Sequence, residues 1–204
     1  MTENLVPQPE DPYGIAKYAV ELDLRAAREM FGLEYVIFRP HNVFGEYQNI
    51  ADRYRNVVGI FMNQTLHGEP VTVFGDGLQT RAFFYIGDVA PIIARSALLK
   101  DCYGETFNIG ADHPCTVLEL AEMVADALTA PCRVEHLPAR NEVVHAYASH
   151  AKLRKIWPEE MRQTELDQGI RRMARWVQEV GPRPSLGFKS DIEITDNLPT
   201  VWQE

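Results

Sequence analysis

The sequence predicts an α/β fold organised around a parallel sheet. Three observations carry that expectation. A helix with clear start and stop signals, Pro12 to Phe31, runs into "EYVIFRP", a short apolar stretch closed by proline. Helix followed by buried strand is the rhythm of parallel α/β architecture. Beyond it, short β-rich runs such as "PVTVFG" and "ETFNIG" alternate with stretches of helical periodicity such as "TVLELAEMVADAL". Finally, 204 residues at 46% hydrophobic content suffice for a sizeable core, in one large domain or two small ones.

Each element has a local reason. Asp11 suits the N-cap of the first helix and Pro12 its first turn. Ala16, Ala19, Val20, Ala27, Met30 and Phe31 predict an apolar face, and Gly32 a stop. Glu34 to Pro40 reads as a buried strand. The polar loop "HNVFGEYQNIADRYRN" is long for a plain connection, which points to binding. "VVGIFMNQTLHG" reads as a helix, and "PVTVFGDG" as a strand closed by a Gly-Asp-Gly turn. "RAFFYIGDV" reads as a strand whose Asp88 caps a helix through Leu99. Thr116 and Glu119 fit a capping box. "CRVEHLP" predicts a strand, "SHAKLRKIW" a short helix, and "TELDQGIRRMARWVQEVG" an amphipathic helix ending at Gly181. The tail from Pro182 to Glu204 has little pattern.

Composition excludes several classes. The net charge of −9 argues against general binding of nucleic acid or anionic membranes. No apolar run is long enough to span a bilayer, and the polar start is unlike a signal peptide. Cys102, Cys115 and Cys132 are odd in number and form no CxxC pair, as expected of reduced thiols in a cytoplasmic protein. His136, His145 and His150 match no zinc spacing, so no metal site is expected.

The chemistry begins with Tyr13 and Lys17. Residues four apart share one helix face. A free tyrosine, with a pKa near ~10, is a poor base at neutral pH, and an adjacent ammonium favours its phenolate. The pair therefore suits proton transfer from an alcohol undergoing oxidation. Taken alone, the spacing is equally that of two residues on a half-exposed helix.

"PYGIAKYAVE", "FRPHNVFG", "VFGDGLQTRAFFYIGDV", "TFNIG" and "TVLELAE" follow one another in fixed order. This series, from Pro12 to about Trp157, resembles the nucleotide-sugar epimerase and dehydratase branch of the extended short-chain dehydrogenase/reductase superfamily. "FRPHNVFG", "GIFMNQ" and "ARNEV" resemble the UDP-glucose 4-epimerase type within it. The resemblance implies a Rossmann-type fold with NAD and a small α/β domain that grips a nucleoside-diphosphate sugar. It implies residues 1–48 in the Rossmann-type unit and 49–181 mainly in the substrate unit, with about 80–110 returning to the first and 182–204 unassigned. Tyr13 matches the catalytic base, and Lys17 the lysine that holds the nicotinamide ribose and activates it. The implied reaction oxidises the sugar 4-hydroxyl to a 4-keto sugar, which then takes hydride back on its other face. The alternatives within the branch are a 4,6-dehydratase or UDP-glucuronate decarboxylase.

By the same resemblance, Pro40 and His41 flank the nicotinamide through their backbone. The His41 side chain itself reads as a satisfied, partly buried histidine. Asn42, Asn56, Val57 and Val58 match positions at the diphosphate-sugar region, and Thr72 and Phe74 positions beside the base. Arg81 matches a diphosphate-binding arginine, whose fork suits phosphate oxygens. Arg140 and Glu142 match diphosphate and ribose contacts, although Asn141–Glu142 departs from the glycine-aspartate pair common in the family. Ala82 likewise departs from the usual aspartate. The family's glycine-rich dinucleotide fingerprint has no counterpart in the sequence. The expectation is therefore the C-terminal part of such an enzyme, without the N-terminal nucleotide-binding half and inactive alone, arising as a truncated form or as a natural binding or assembly module. A homodimer is compatible with it.

Overall fold

The computed structural model describes residues 1–53, 55–139, 148–158 and 164–185. In chain order the elements are α1 (Pro12–Phe31), β1 (Val36–Pro40), β2 (Val43–Phe44), α2 (Val57–Leu66), β3 (Val71–Phe74), β4 (Thr80–Ala82), β5 (Phe84–Tyr85), α3 (Ile86–Ser96), β6 (Glu105–Ile109), β7 (Pro114–Thr116), α4 (Val117–Ala127), β8 (Val134–Leu137), α5 (Ala151–Ile156) and α6 (Leu166–Val180). The strands form parallel pairs β1–β6, β2–β5 and β3–β8, and the antiparallel pair β4–β7. The register sets Phe38 beside Phe107, whose rings stack at 5.8 Å between centroids. No described helix is long and apolar enough to cross a membrane.

Helix α1 starts and stops where its signals place it. The Asp11 carboxylate accepts from Gly14 N at 2.6 Å, and Gly32 takes a left-handed φ of 69° and bonds back to Arg28 O at 2.9 Å. Its apolar stripe is not buried: Val20, Met30 and Phe31 are 56%, 72% and 77% exposed. At about 100° per residue, that stripe lies on a different face from Glu21 and Arg28. The helix is fastened by the latter face. Arg39 of β1 forks onto Glu21 at 2.7 and 2.6 Å, and Arg28 donates to Tyr103 O at 3.0 Å. Polar ties on one side therefore take the place of the expected apolar seat. The expectation of a deeply buried β1 is met only at Ile37.

Two apolar cores organise the rest. One joins Phe84, Val89, Ile92, Phe107, Ile109, Leu153 and Trp157, beneath β1 and β6. The other joins α2, α4 and α6 around Phe61, Met62, Leu120, Val124, Ile170, Met173 and Val177. Cys102 and Cys115 are buried free thiols, and Cys132 is an exposed one.

Asp88 is not the N-cap of α3. The helix opens two residues earlier, after Tyr85, because the "FFY" run ends in β5 and turns directly into it. Asp88 sits in the first turn and accepts from Thr164 N and Oγ1 at 2.7 and 2.9 Å, fastening the start of the α6 segment. The run read as one strand is two short ones, broken at Phe83.

The capping box forms as the residues dictate. Thr116 Oγ1 accepts from Glu119 N at 3.1 Å, and Glu119 Oε2 accepts from Thr116 N at 2.7 Å. These bonds hold the Glu119 carboxyl below its ordinary range. Thr116→Ala is expected to lower unfolding free energy by about 1 kcal/mol in urea titrations at pH 7. A loss under a third of that would show the cap to be idle.

Candidate functional site

Beside the second core lies a cavity of about 560 Å³. Its lining includes Asn42, Asn56, Val57, Val58, Thr72, Phe74 and Arg81. These seven residues, expected from the sequence at the substrate, come from four separate parts of the chain. Arg140 and Glu142 lie outside the described residues.

Local structure explains how each reaches the cavity. Asn42 turns the chain at the end of β1 with φ 42°, a conformation asparagine tolerates better than most residues. Its carbonyl accepts from Phe84 N at 3.1 Å, and its Nδ2 donates to Ala82 O at 3.0 Å. The alanine that replaces the expected aspartate thus contributes its backbone. Asn56, with φ 63°, precedes α2 and makes no side-chain cap bond. The positive end of α2 therefore faces the cavity at Val57 and Val58. Arg81, half-buried on β4, donates from Nη1 to Thr80 O at 2.9 Å, which orients its guanidinium. Helix N-terminus and guanidinium together suit an anion. Thr72 is held through both its N–H and hydroxyl by the Gln64 amide, at 3.2 and 3.1 Å. Gln79 ties the Phe74 carbonyl at 3.1 Å. The turn after β3 needs its glycines: at Gly77, φ 77°, an added Cβ would sit 2.7 Å from Leu118.

Asn63, Gln64, His67 and Ser185 also line the cavity, and the sequence reading passed over them. A usable signal was present: Asn63 and Gln64 interrupt the apolar helix "VVGIFMNQTL". Buried amides inside such a helix need partners, and those partners shape the pocket.

The four residues expected at the cofactor group differently. Tyr13 and Lys17 stand on the first turns of α1, with Lys17 Nζ 5.3 Å from the Tyr13 ring centroid. Tyr13 is 74% exposed. Pro40 is exposed at the end of β1, and the His41 backbone N–H is already donated to Ile109 O at 3.0 Å. None of the four lines the cavity. They supply a phenol, an ammonium and a backbone edge, but no glycine-rich cradle for a pyrophosphate. As they stand, they do not form an enclosed dinucleotide site. No group of three or more metal-ligating side chains occurs among the described residues.

Comparison with known proteins places this geometry. The model of the NAD dependent epimerase/dehydratase family matches residues 1–110. The chain is 31% identical over 139 residues to the UDP-glucose 4-epimerase of Mycolicibacterium smegmatis, covering 68% of this chain and 44% of that one. It superposes on the Thermotoga maritima UDP-glucose 4-epimerase solved with UDP-glucose, with TM-score 0.76 and 28% identity over 88% of this chain and 57% of that chain. It superposes equally on the UDP-N-acetylglucosamine 4-epimerase of Methanobrevibacter ruminantium M1, solved with UDP-N-acetylmuramic acid, with TM-score 0.80 and 29% identity over the same shares, 88% and 57%. The chain spans about half the length of the curated relatives it matches.

His41 gives the site a pH signature. Burial, then repulsion from His150 and from the chain's amino terminus, lowers its pKa below the ordinary 6.5. The two imidazoles lie 6.2 Å apart. His150 is itself buried and tied through Nδ1 to Asp112 at 2.8 Å, and Asp112 also pairs with Arg154. A folded-state pKa below the unfolded one means that the unfolded chain binds protons first. Stability should therefore decline as pH falls below 6.5, and His41→Asn should flatten that decline. Urea midpoints measured between pH 7.5 and 5.5 check this; parallel curves for the two proteins would refute it.

Proposed function

The chain belongs to the NAD-dependent epimerase/dehydratase family, and from that premise we propose that it binds a nucleoside-diphosphate sugar, of the UDP-glucose/UDP-galactose type, for epimerisation at carbon 4. The observation that carries this reading is the convergence of Asn42, Asn56, Thr72, Phe74 and Arg81 on one cavity. The volume of about 560 Å³ is of the size ligand sites require. Arg81 and the N-terminus of α2 meet the diphosphate, Thr72 and Phe74 flank the base, and Asn42 reaches the sugar side. The UDP-sugars bound by the two solved relatives support that ligand class. Residues 1–48, with about 80–110, are proposed for the Rossmann-type unit and 49–181 mainly for the substrate unit; the cores follow that division only in part, since Phe44, Phe83 and Tyr85 join the second and Leu153 and Trp157 the first.

Tyr13 is the base that takes the proton from the sugar 4-hydroxyl, and Lys17 the ammonium that favours its phenolate. NAD, when bound, supplies the acceptor for the sugar's hydride. In this chain the pair stands in solvent, outside the cavity. The 204 residues by themselves are therefore proposed to bind nucleotide sugar without turning it over. A second reading, a nucleotide-sugar-binding module without catalysis, is favoured by the same observation: the cavity is walled without any residue of α1.

Two measurements test this. Calorimetry should show UDP binding to the wild-type chain, weakened about tenfold or more in Arg81→Ala, as the loss of a charged phosphate contact predicts. Equal affinities would remove the phosphate assignment. A sensitive assay of UDP-glucose conversion by the 204-residue chain should find none; any galactose product overturns the proposed inactivity.

A further inference from the structure

The segment after α6 is sewn to the cavity by one buried amide. Gly181 ends the helix with φ 73° and turns the chain back toward α2. Asn63, only 2% exposed, then pairs with that segment as a strand would. Its Oδ1 accepts from Arg183 N at 2.9 Å, and its Nδ2 donates to Arg183 O at 3.0 Å and to Ser185 Oγ at 3.4 Å. His67, one turn further along α2, reaches the same Arg183 carbonyl through Nε2 at 3.0 Å. A carbonyl only accepts, so that nitrogen carries the proton, and Nδ1 of the neutral ring is left as an acceptor. Pro182 and Pro184 flank the paired residue and restrict φ on both sides, which lowers the entropy lost in holding the segment. Ser185, Asn63 and His67 all line the cavity.

We propose that Asn63 is a positioning residue that ties Pro182–Ser185 to α2 so that Ser185 walls the nucleoside end of the cavity. This inference rests on the nucleotide-sugar reading. The end is identified by Gln64, the helical neighbour of Asn63, whose amide holds the base-flanking Thr72. The phosphate-side residues Asn42 and Arg81 belong instead to the corner around Ala82. The wall sets the Ser185 hydroxyl near the His67 imidazole, where the two can meet a planar base that offers both donors and acceptors. A wall held in place before binding raises affinity by sparing the ligand the cost of ordering it. It acts on the nucleoside and not on the phosphates.

Two probes, UMP and UDP, separate these roles on the full 204-residue chain by calorimetry. Asn63→Ala removes the tie from the helix side. Arg183→Pro, at an exposed position, removes the N–H that Asn63 accepts together with the arginine side chain. Both should raise the Kd for UMP and UDP by the same factor, about five- to tenfold. Arg183→Ala restores the N–H and should retain the affinity that Arg183→Pro loses. Arg81→Ala, by contrast, should change the ratio of the two Kd values. Wild-type affinity for UMP in Arg183→Pro would overturn the inference while leaving the nucleotide-sugar reading intact. An Arg183→Ala loss equal to that of Arg183→Pro would also overturn it, since the side chain and not the tie would then matter. A wild-type chain that binds neither probe would overturn the reading and this inference together.

Discussion

The corner at Asn42 is the constraint on which the rest depends. Here the chain leaves β1 in the parallel pair with β6 and must cross toward the second core. It does so with a left-handed residue that is pinned twice, by its carbonyl to Phe84 and by its amide to Ala82. Such a backbone conformation costs free energy and persists only when its surroundings over-determine it. The two bonds do that, and they fix the start of β2 against β5. They also fix where β4 lies, and with it Arg81. Asn42 is thus both a member of the cavity and the corner that sets where Arg81 lies relative to the sheet.

Charge shows the same economy. The chain is acidic as a whole, yet the cavity gathers Arg53, Arg81 and the positive end of α2. Two carboxylates, Asp52 and Glu69, line it as well, and Asp52 accepts from the Arg55 N–H at 3.1 Å. With cations and carboxylates both in the lining, discrimination is by position: an anion gains only where donors converge and is repelled elsewhere. That suits a ligand with a compact diphosphate better than an extended polyanion, in keeping with the composition.

Much of this was legible in the sequence. Caps act over three or four residues, so Asp11, Gly32, the Thr116–Glu119 box and Gly181 could be read directly and are found in place. The order of motifs also marked the cavity residues, because their types carry their chemistry. Tertiary choices were not legible. The face by which α1 is fastened is set by Arg39 and Glu21, a pair eighteen residues apart, and not by its apolar stripe. Asp88 has the right residue type for a cap, but Thr164, 76 positions away, claims it. The β4–β7 ladder escaped notice because strands of three residues show no period. Asn63 was hidden for the opposite reason: its partner lies in a stretch of proline and arginine that has no secondary structure to predict.

The geometry separates two tasks that the motif order runs together. The cavity lies beside the second core and its strands, where Gln64, Gln79 and the Thr80 carbonyl hold Thr72, Phe74 and Arg81. The tyrosine and lysine proposed for proton transfer stand outside the cavity, on a helix with no buried residue. Packing energy therefore sits with recognition, and little of it with the proton-transfer pair. A rigid grip and a lightly held base make sense together if the base needs a further surface to be brought to the sugar. On that view the cavity orients the ligand by its nucleotide, and the chemistry waits on whatever encloses Tyr13.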